Sequence, residues 1–126
     1  MNTAVVYHWW SLESDSPPHQ NIRVPIIGSI ATLRAVDKTI PIYVLDCSDH
    51  DVDWCGYDKI LNFKIIRTQF FLKDYSHRNG WQNLSRIFDL RRTEVPEKIL
   101  LYSDADVFWI KSPLPLENSP NKFSFN

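Results

Sequence analysis

The sequence predicts an α/β fold built on a mainly parallel β-sheet. Apolar runs typical of strands alternate with segments of helical spacing, in the order strand, helix, strand, strand, helix, strand. The strand segments are too apolar for a sheet with one solvated face, which favours a parallel sheet covered on both sides. A chain of 126 residues with 44% hydrophobic residues has the size and composition of one globular domain. We therefore expect residues 1–126 to form a single domain.

The first half of the chain carries two strands separated by a helix. Residues 3–10 (TAVVYHWW) predict the first strand, and the polar segment after it contains a Pro-Pro pair, which indicates a loop. Residues 24–37 place isoleucine and leucine side chains on one helical face, and a proline near their start suits a first helical turn. Residues 40–45 (IPIYVL) predict the second strand, which ends at a polar segment.

The second half repeats the alternation. Residues 63–71 (FKIIRTQFF) predict a third strand, residues 81–92 (WQNLSRIFDLRR) a second helix, and residues 97–110 (EKILLYSDADVFWI) a fourth strand. The remaining residues contain three prolines and show no helix or strand pattern. Because ligands bind at the carboxyl ends of the strands in such sheets, the residues that end each strand are the candidates for a site.

Composition and charge exclude several classes of function. The formal net charge is -1, from 14 basic and 15 acidic residues, and no basic run exceeds two residues, so we expect no nucleic-acid partner. Cys47 and Cys55 form no CxxC motif and the four histidines no HExxH motif, so their spacing predicts unpaired thiols rather than a zinc site. The first ten residues lack a signal-peptide pattern and no segment is long enough to span a membrane, which predicts a cytoplasmic protein.

Two carboxylates interrupt the predicted fourth strand. Asp104 and Asp106 are two residues apart, so on an extended strand they project to the same side, about 6–7 Å from each other. Desolvated together they would need a cation, either a Lys or Arg side chain or a hard divalent metal. A metal held by two carboxylates keeps open positions for substrate phosphates. The spacing alone leaves an alternative, in which both side chains meet solvent at the end of the strand.

The surroundings of this pair resemble a known family. The segment PEKILLYSDADVFWIKSPLPL resembles the metal-binding segment of sugar-nucleotide-dependent glycosyltransferases with the A-type fold, and is most similar to the family that includes glycogenin and bacterial lipopolysaccharide galactosyltransferases (family 8). IPIYVLDCSD and LSRIFDL resemble the second strand and a helix segment of that family, in the same order. The resemblance covers residues 3–116 and is most specific over 96–110. It implies a Rossmann-like sheet and the N-terminal, donor-binding part of such an enzyme, without the acceptor-binding portion.

The resemblance also implies a set of site residues. Asp106 would ligate Mn²⁺ or Mg²⁺, and Asp104 would share the metal or hold the ribose. Arg86 would reach the diphosphate, and Tyr7 and His8 would border the base. The nucleotide-sugar-binding residues implied in this way are Tyr7, His8, Arg86, Asp104 and Ala105, and the metal-binding residues are Asp104 and Asp106.

The function implied is transfer of a sugar from a nucleotide-sugar donor, a UDP-sugar first and a GDP-sugar second, to a glycan, lipid or protein acceptor. Two alternatives stay open at the level of sequence. One is a catalytically inactive module that keeps the sugar-nucleotide fold. The other is a phosphotransferase of the haloacid-dehalogenase type, in which Asp-x-Asp also follows a strand, although that motif opens its domain and here begins at Asp104.

Overall fold

A computed structural model of the chain describes residues 2–10, 23–69, 89–91 and 93–114. Within these ranges the protein forms one sheet of four parallel strands. The predicted α/β class with a parallel sheet is therefore confirmed for the described part of the chain. None of the helices in these ranges is long and apolar enough to cross a membrane.

The sheet has the strand order β3-β2-β1-β4. The strands are β1 (Thr3–Trp9), β2 (Ile42–Asp46), β3 (Lys64–Arg67) and β4 (Ile99–Ser103). All seven residues of β1 are buried, as expected for the strand that lies between β2 and β4. The predicted strands at 3–10 and 40–45 are confirmed to within about two residues at each end.

In the described ranges, two helices lie between the first three strands. α1 (Arg23–Val36) joins β1 to β2 and confirms the helix predicted at 24–37. α2 (Tyr57–Ile60) is a single turn between β2 and β3, and the sequence did not predict it. None of its residues is buried, so it lacks the apolar face from which a helix is recognised. It begins after Gly56, whose φ of 77° is in the left-handed region that glycine tolerates.

The predicted fourth strand was too long. β4 ends at Ser103, and the chain turns at Asp104, where the N–H of Val107 approaches the carbonyl oxygen of Asp104 at 3.4 Å. The apolar residues that made 97–110 look like one strand continue beyond this turn, but they do not extend the sheet. Of the third strand predicted at 63–71, Lys64–Arg67 is strand, residues 63, 68 and 69 are not, and 70–71 lie outside the described residues. Of the helix predicted at 81–92, residues 89–91 are helical, and 81–88 and 92 lie outside the described residues.

Side chains of β1 alternate between two apolar layers. Those of Val5, Tyr7 and Trp9 join α1 residues in one buried cluster. Those of Ala4 and Val6 lie on the opposite face. The residues of α1 in the first cluster are Ile26, Ile30 and Leu33, all fully buried, and in the second cluster Ala4 and Val6 pack with Tyr43 and Leu45. Each large aliphatic side chain buried in this way contributes about 1.5–3 kcal/mol.

The strand order places a reversal of direction beside β1. The chain runs outward from β1 through β2 to β3, and β4 then lies on the other side of β1. At such a point the connections leave the neighbouring strands in opposite directions, which opens a crevice at their carboxyl ends. The carboxyl end of β1 holds His8 and Trp9, and that of β4 holds Ser103, with Asp104 directly after it. Both strand ends therefore carry residues that the sequence singled out.

Candidate functional site

Asp104 and Asp106 lie on the turn that follows β4, with both residues exposed to solvent. The side-by-side projection expected from an extended strand does not hold, because the chain leaves the strand before Asp104. Nor are the two carboxylates buried, so they do not need a cation to offset desolvation. Ala105 between them is half-buried and packs against the α1-side core. The turn therefore presents its acidic side chains to solvent and its alanine to the core.

A tyrosine of β4 holds one of these carboxylates. The hydroxyl of Tyr102 donates a hydrogen bond to Oδ1 of Asp104, at 2.7 Å. Tyr102 is opposite Val6 in the sheet register, so it belongs to the face away from α1. This neutral donor restricts the orientation of the carboxylate and places no positive charge beside it.

Apolar side chains are exposed immediately beyond the turn. Phe108 is 67% exposed and Ile110 91% exposed, and Val107 is also accessible. Trp109, between them, turns inward instead: its backbone N–H donates to Oγ1 of Thr32 at 2.9 Å, and it packs against the core. Beside the two carboxylates the surface therefore offers accessible apolar and aromatic groups, which suit the ring of a ligand.

Tyr7 and His8 point to opposite faces of β1. Tyr7 is fully buried on the α1 side, and its hydroxyl lies 2.6 Å from Oγ of Ser29. The same hydroxyl accepts the indole N–H of Trp109 at 3.2 Å. Its surroundings are those of a packing residue, and it lines no open surface. His8 lies on the other face, where it is also buried.

His8 belongs to a cluster that the sequence analysis did not find. Nε2 of His8 lies 3.0 Å from Oδ2 of Asp89 and 3.5 Å from Sγ of Cys47, and that sulfur lies 4.0 Å from the same Asp89 oxygen. All three residues are buried. Within the described ranges, this is the one group of at least three His, Cys, Asp or Glu side chains whose ligand atoms lie close enough to share a metal ion. Its members are far apart in sequence, so motif spacing could not reveal them. Only their positions near the ends of predicted elements gave a signal.

A depression in the surface reaches this cluster. A cavity of about 330 Å³ lies on the sheet face away from α1, and Asp89 forms part of its wall. Arg67 and Thr68, at the end of β3, line it as well. A second cavity, of about 290 Å³, lies at the amino ends of the strands, with Pro41 and Glu97 in its wall. That second cavity is at the edge of the sheet opposite to both Asp104 and the cluster.

Comparisons with family models, with curated proteins and with solved structures find no match to this chain. The resemblance to family 8 glycosyltransferases therefore remains a prediction that rests on the quoted residues. Of its expected site residues, Arg86 lies outside the described part of the chain. The structure gives the remaining five two different settings. Asp104, Ala105 and Asp106 lie on an open turn, and Tyr7 and His8 are enclosed.

Proposed function

We propose that this chain is the nucleotide-sugar-binding part of a metal-dependent glycosyltransferase with a Rossmann-like A-type fold. The observation that carries the proposal is the placement of Asp104 and Asp106 on an exposed turn at the carboxyl end of β4, beside the central strand β1. Open parallel sheets bind their ligands in this position, at the reversal of strand order. The chemistry of Asp104 and Asp106 also supports a metal-dependent donor site, because Mg²⁺ and Mn²⁺ prefer carboxylate oxygens.

Each carboxylate of the turn has a role in this proposal. Asp106 ligates Mn²⁺ or Mg²⁺, and Asp104, oriented by Tyr102, shares the ion or accepts a ribose hydroxyl. A cation bound by so few protein ligands keeps positions for the diphosphate oxygens of the donor. It stabilises the negative charge that develops on the departing nucleoside diphosphate. The exposed ring of Phe108 provides a face for the base or the sugar.

The exposure of the pair also bears on the phosphotransferase alternative. In that reading one aspartate attacks phosphorus and forms a covalent intermediate, which requires an enclosed site that shields it from water. Both carboxylates here are open to solvent, which suits the binding of a hydrated cation better. We therefore favour a UDP-sugar, or a GDP-sugar, as donor over a phosphoester substrate. The acceptor in this proposal is a glycan, a lipid or a protein.

The test is a thermal-shift and calorimetric titration with UDP, GDP and their sugar conjugates, each with and without Mn²⁺. A ligand at 100 times its Kd should stabilise the native state by about 2.7 kcal/mol. We expect this stabilisation to require Mn²⁺ and to disappear in Asp106→Asn. The matched control is Asp58→Asn in α2, which removes a carboxylate from the segment that leads into β3. Folded protein that shows no Mn²⁺-dependent binding to any of these ligands would contradict the proposal.

A further inference from the structure

The cluster of His8, Cys47 and Asp89 is built from three separate elements. His8 is in β1, Cys47 directly follows β2, and Asp89 is in the helical residues 89–91. The N–H of Cys47 donates to the carbonyl oxygen of Trp9 at 2.9 Å, so the sheet itself fixes the sulfur beside the imidazole. Thr93 donates its hydroxyl to the carbonyl oxygen of Asp89 at 2.7 Å and restrains the third member. The three ligand atoms are thus held by backbone structure before any ion binds.

The contacts of the cluster converge on one ring nitrogen. Oδ2 of Asp89 and Sγ of Cys47 both approach Nε2 of His8, at 3.0 and 3.5 Å. In a nucleophilic Cys-His-Asp arrangement, the cysteine and the carboxylate use different nitrogens of the imidazole, so that a proton can be taken on one side while the other is held. Asp89 and Cys47 do not have that arrangement, because both approach the same nitrogen. The sulfur is also buried, which removes it from substrates.

A single ring nitrogen, Nε2 of His8, faces both the carboxylate and the sulfur. A ring nitrogen carries either one hydrogen or one lone pair. If Nε2 donates its hydrogen to Asp89, it has no lone pair with which to accept the thiol hydrogen of Cys47. The carboxylate oxygen of Asp89 lies 4.0 Å from the sulfur, a long contact even for a sulfur donor. A cation bound between the three residues would accept one lone pair from each of them.

The distances match those of a tetrahedral metal site. At the usual zinc bond lengths to sulfur, nitrogen and oxygen, tetrahedral geometry separates the ligand atoms by about 3.3–3.6 Å. The observed separations are 3.0, 3.5 and 4.0 Å. Shifts of about half an ångström would bring all three into the tetrahedral range. A thiolate, a neutral imidazole and a carboxylate together balance a divalent cation, which makes the buried site electrically neutral.

We propose that His8, Cys47 and Asp89 bind a borderline-soft divalent metal ion of the zinc class. Thiolate and imidazole ligands select zinc over the hard ions Mg²⁺ and Ca²⁺, so this site differs in chemistry from the all-oxygen pair at Asp104 and Asp106. Asp89 also forms part of the wall of the cavity of about 330 Å³. Binding draws β1, β2 and residues 89–91 together, because no two of its ligands belong to the same element. The ion therefore stabilises the fold at the carboxyl edge of the sheet.

The primary test uses tag-free protein freed of metal with a chelator and then titrated with Zn²⁺ or Co²⁺. Elemental analysis should find one zinc per chain, and bound Co²⁺ should show thiolate-to-cobalt charge-transfer absorption. Cys47→Ser should lower zinc affinity by at least about 100-fold, since the loss of outer-shell partners alone costs 10–100-fold. The matched control is Cys55→Ser, which removes an exposed thiol and should bind zinc as the unaltered protein does. Asp106→Asn should likewise leave zinc binding unchanged, which separates this site from the proposed donor site.

A second measurement does not depend on whether Cys47→Ser folds. In the Cys55→Ser protein, X-ray absorption at the zinc edge should show one sulfur at about 2.3 Å together with nitrogen or oxygen ligands. A first shell without sulfur would overturn the proposal. So would the absence of bound zinc in folded Cys55→Ser protein, or zinc affinity that Cys47→Ser leaves intact.

Discussion

The indole N–H of Trp109 donates a hydrogen bond to the hydroxyl of Tyr7 across 3.2 Å. This contact joins the segment after the acidic turn to the centre of β1. The same hydroxyl lies 2.6 Å from Oγ of Ser29, so β1, α1 and the segment that follows β4 meet at one oxygen atom. The turn that carries Asp104 is thus anchored on both sides, by Tyr102 before it and by Trp109 after it.

Tyr7→Phe should destabilise the protein by about 1–3 kcal/mol, because the buried Ser29 hydroxyl and the Trp109 N–H lose their common partner while the packing of the ring is kept. Urea denaturation followed by circular dichroism gives the free energy of unfolding. The control is Tyr57→Phe, at a residue that is 41% exposed, where the change should stay within about 0.5 kcal/mol. Equal effects of the two substitutions would show that the Tyr7 hydroxyl has no structural role.

The part of the fold that the sequence predicted is the part governed by local pattern. α1 was recognised because Ile26, Ile30 and Leu33 recur at helical spacing, and β1 because it is a short apolar run of residues that favour strands, all of them buried. The end of β4 was not recognised, because Val107 to Ile110 are as apolar as a strand although the chain has already turned. In that segment, exposure and tertiary contacts override the strand propensity.

The two candidate sites also differ in whether a local sequence pattern reveals them. Asp104 and Asp106 were found because they are neighbours in the sequence, although the turn gives them an orientation that an extended strand would not. His8 and Cys47 are 39 residues apart and are brought together by the register in which His8 pairs with Leu45. Asp89 is 81 residues from His8. Strand register is a tertiary property, so no local motif could have assembled this cluster.

Tyr102→Phe should weaken Mn²⁺-dependent nucleotide binding while the protein remains stable. The substitution removes the hydrogen bond to Oδ1 of Asp104 and releases the orientation of that carboxylate. Partners that orient a metal ligand are worth about 10–100-fold in metal affinity, and an exposed site should lie at the lower end of this range. Calorimetric titration of the Mn²⁺-nucleotide complex measures the change, and urea denaturation should find the free energy of unfolding altered by less than about 1 kcal/mol. Binding equal to that of the unaltered protein would remove Tyr102 from the proposed site.

Arg34→Lys should destabilise the connection between α1 and the strands by about 1–3 kcal/mol. The Arg34 guanidinium reaches four backbone carbonyl oxygens, with N···O distances of 2.6–3.3 Å, those of Asp37, Ile40, Leu61 and Asn62. A lysine ammonium keeps the charge but cannot reproduce the planar set of donors, so at least two of these carbonyls lose their bond.

Chemical denaturation of Arg34→Lys, with the exposed Arg91→Lys as control, measures this difference. The control should change the free energy of unfolding by less than about 0.5 kcal/mol, as surface substitutions usually do. If both substitutions had the same small effect, the four contacts of Arg34 would not contribute to stability.

The ionised side chain of Asp37 should stabilise the folded protein, and this stabilisation should be lost in acid. Burial by itself would raise the pKa of this carboxyl group. The hydrogen bonds from the Ser112 hydroxyl and from the N–H groups of Thr39 and Ile40 outweigh that effect and leave the pKa below its ordinary value. Because these bonds favour the ionised form, the folded state binds the proton of Asp37 less readily than the unfolded state does.

The sign of the pH dependence follows from this lowered pKa. The stabilisation is fully present above the ordinary aspartate pKa of about 3.9 and is lost as the pH falls through the lower folded-state value. Asp37→Asn should therefore be less stable than the unaltered protein at pH 7, and the difference should shrink on acidification. Urea denaturation across this range measures it, and Glu94→Gln, which removes an exposed carboxylate, is the control. A difference that stays constant down to the acid limit would mean that the ionised form of Asp37 has no advantage in the folded state.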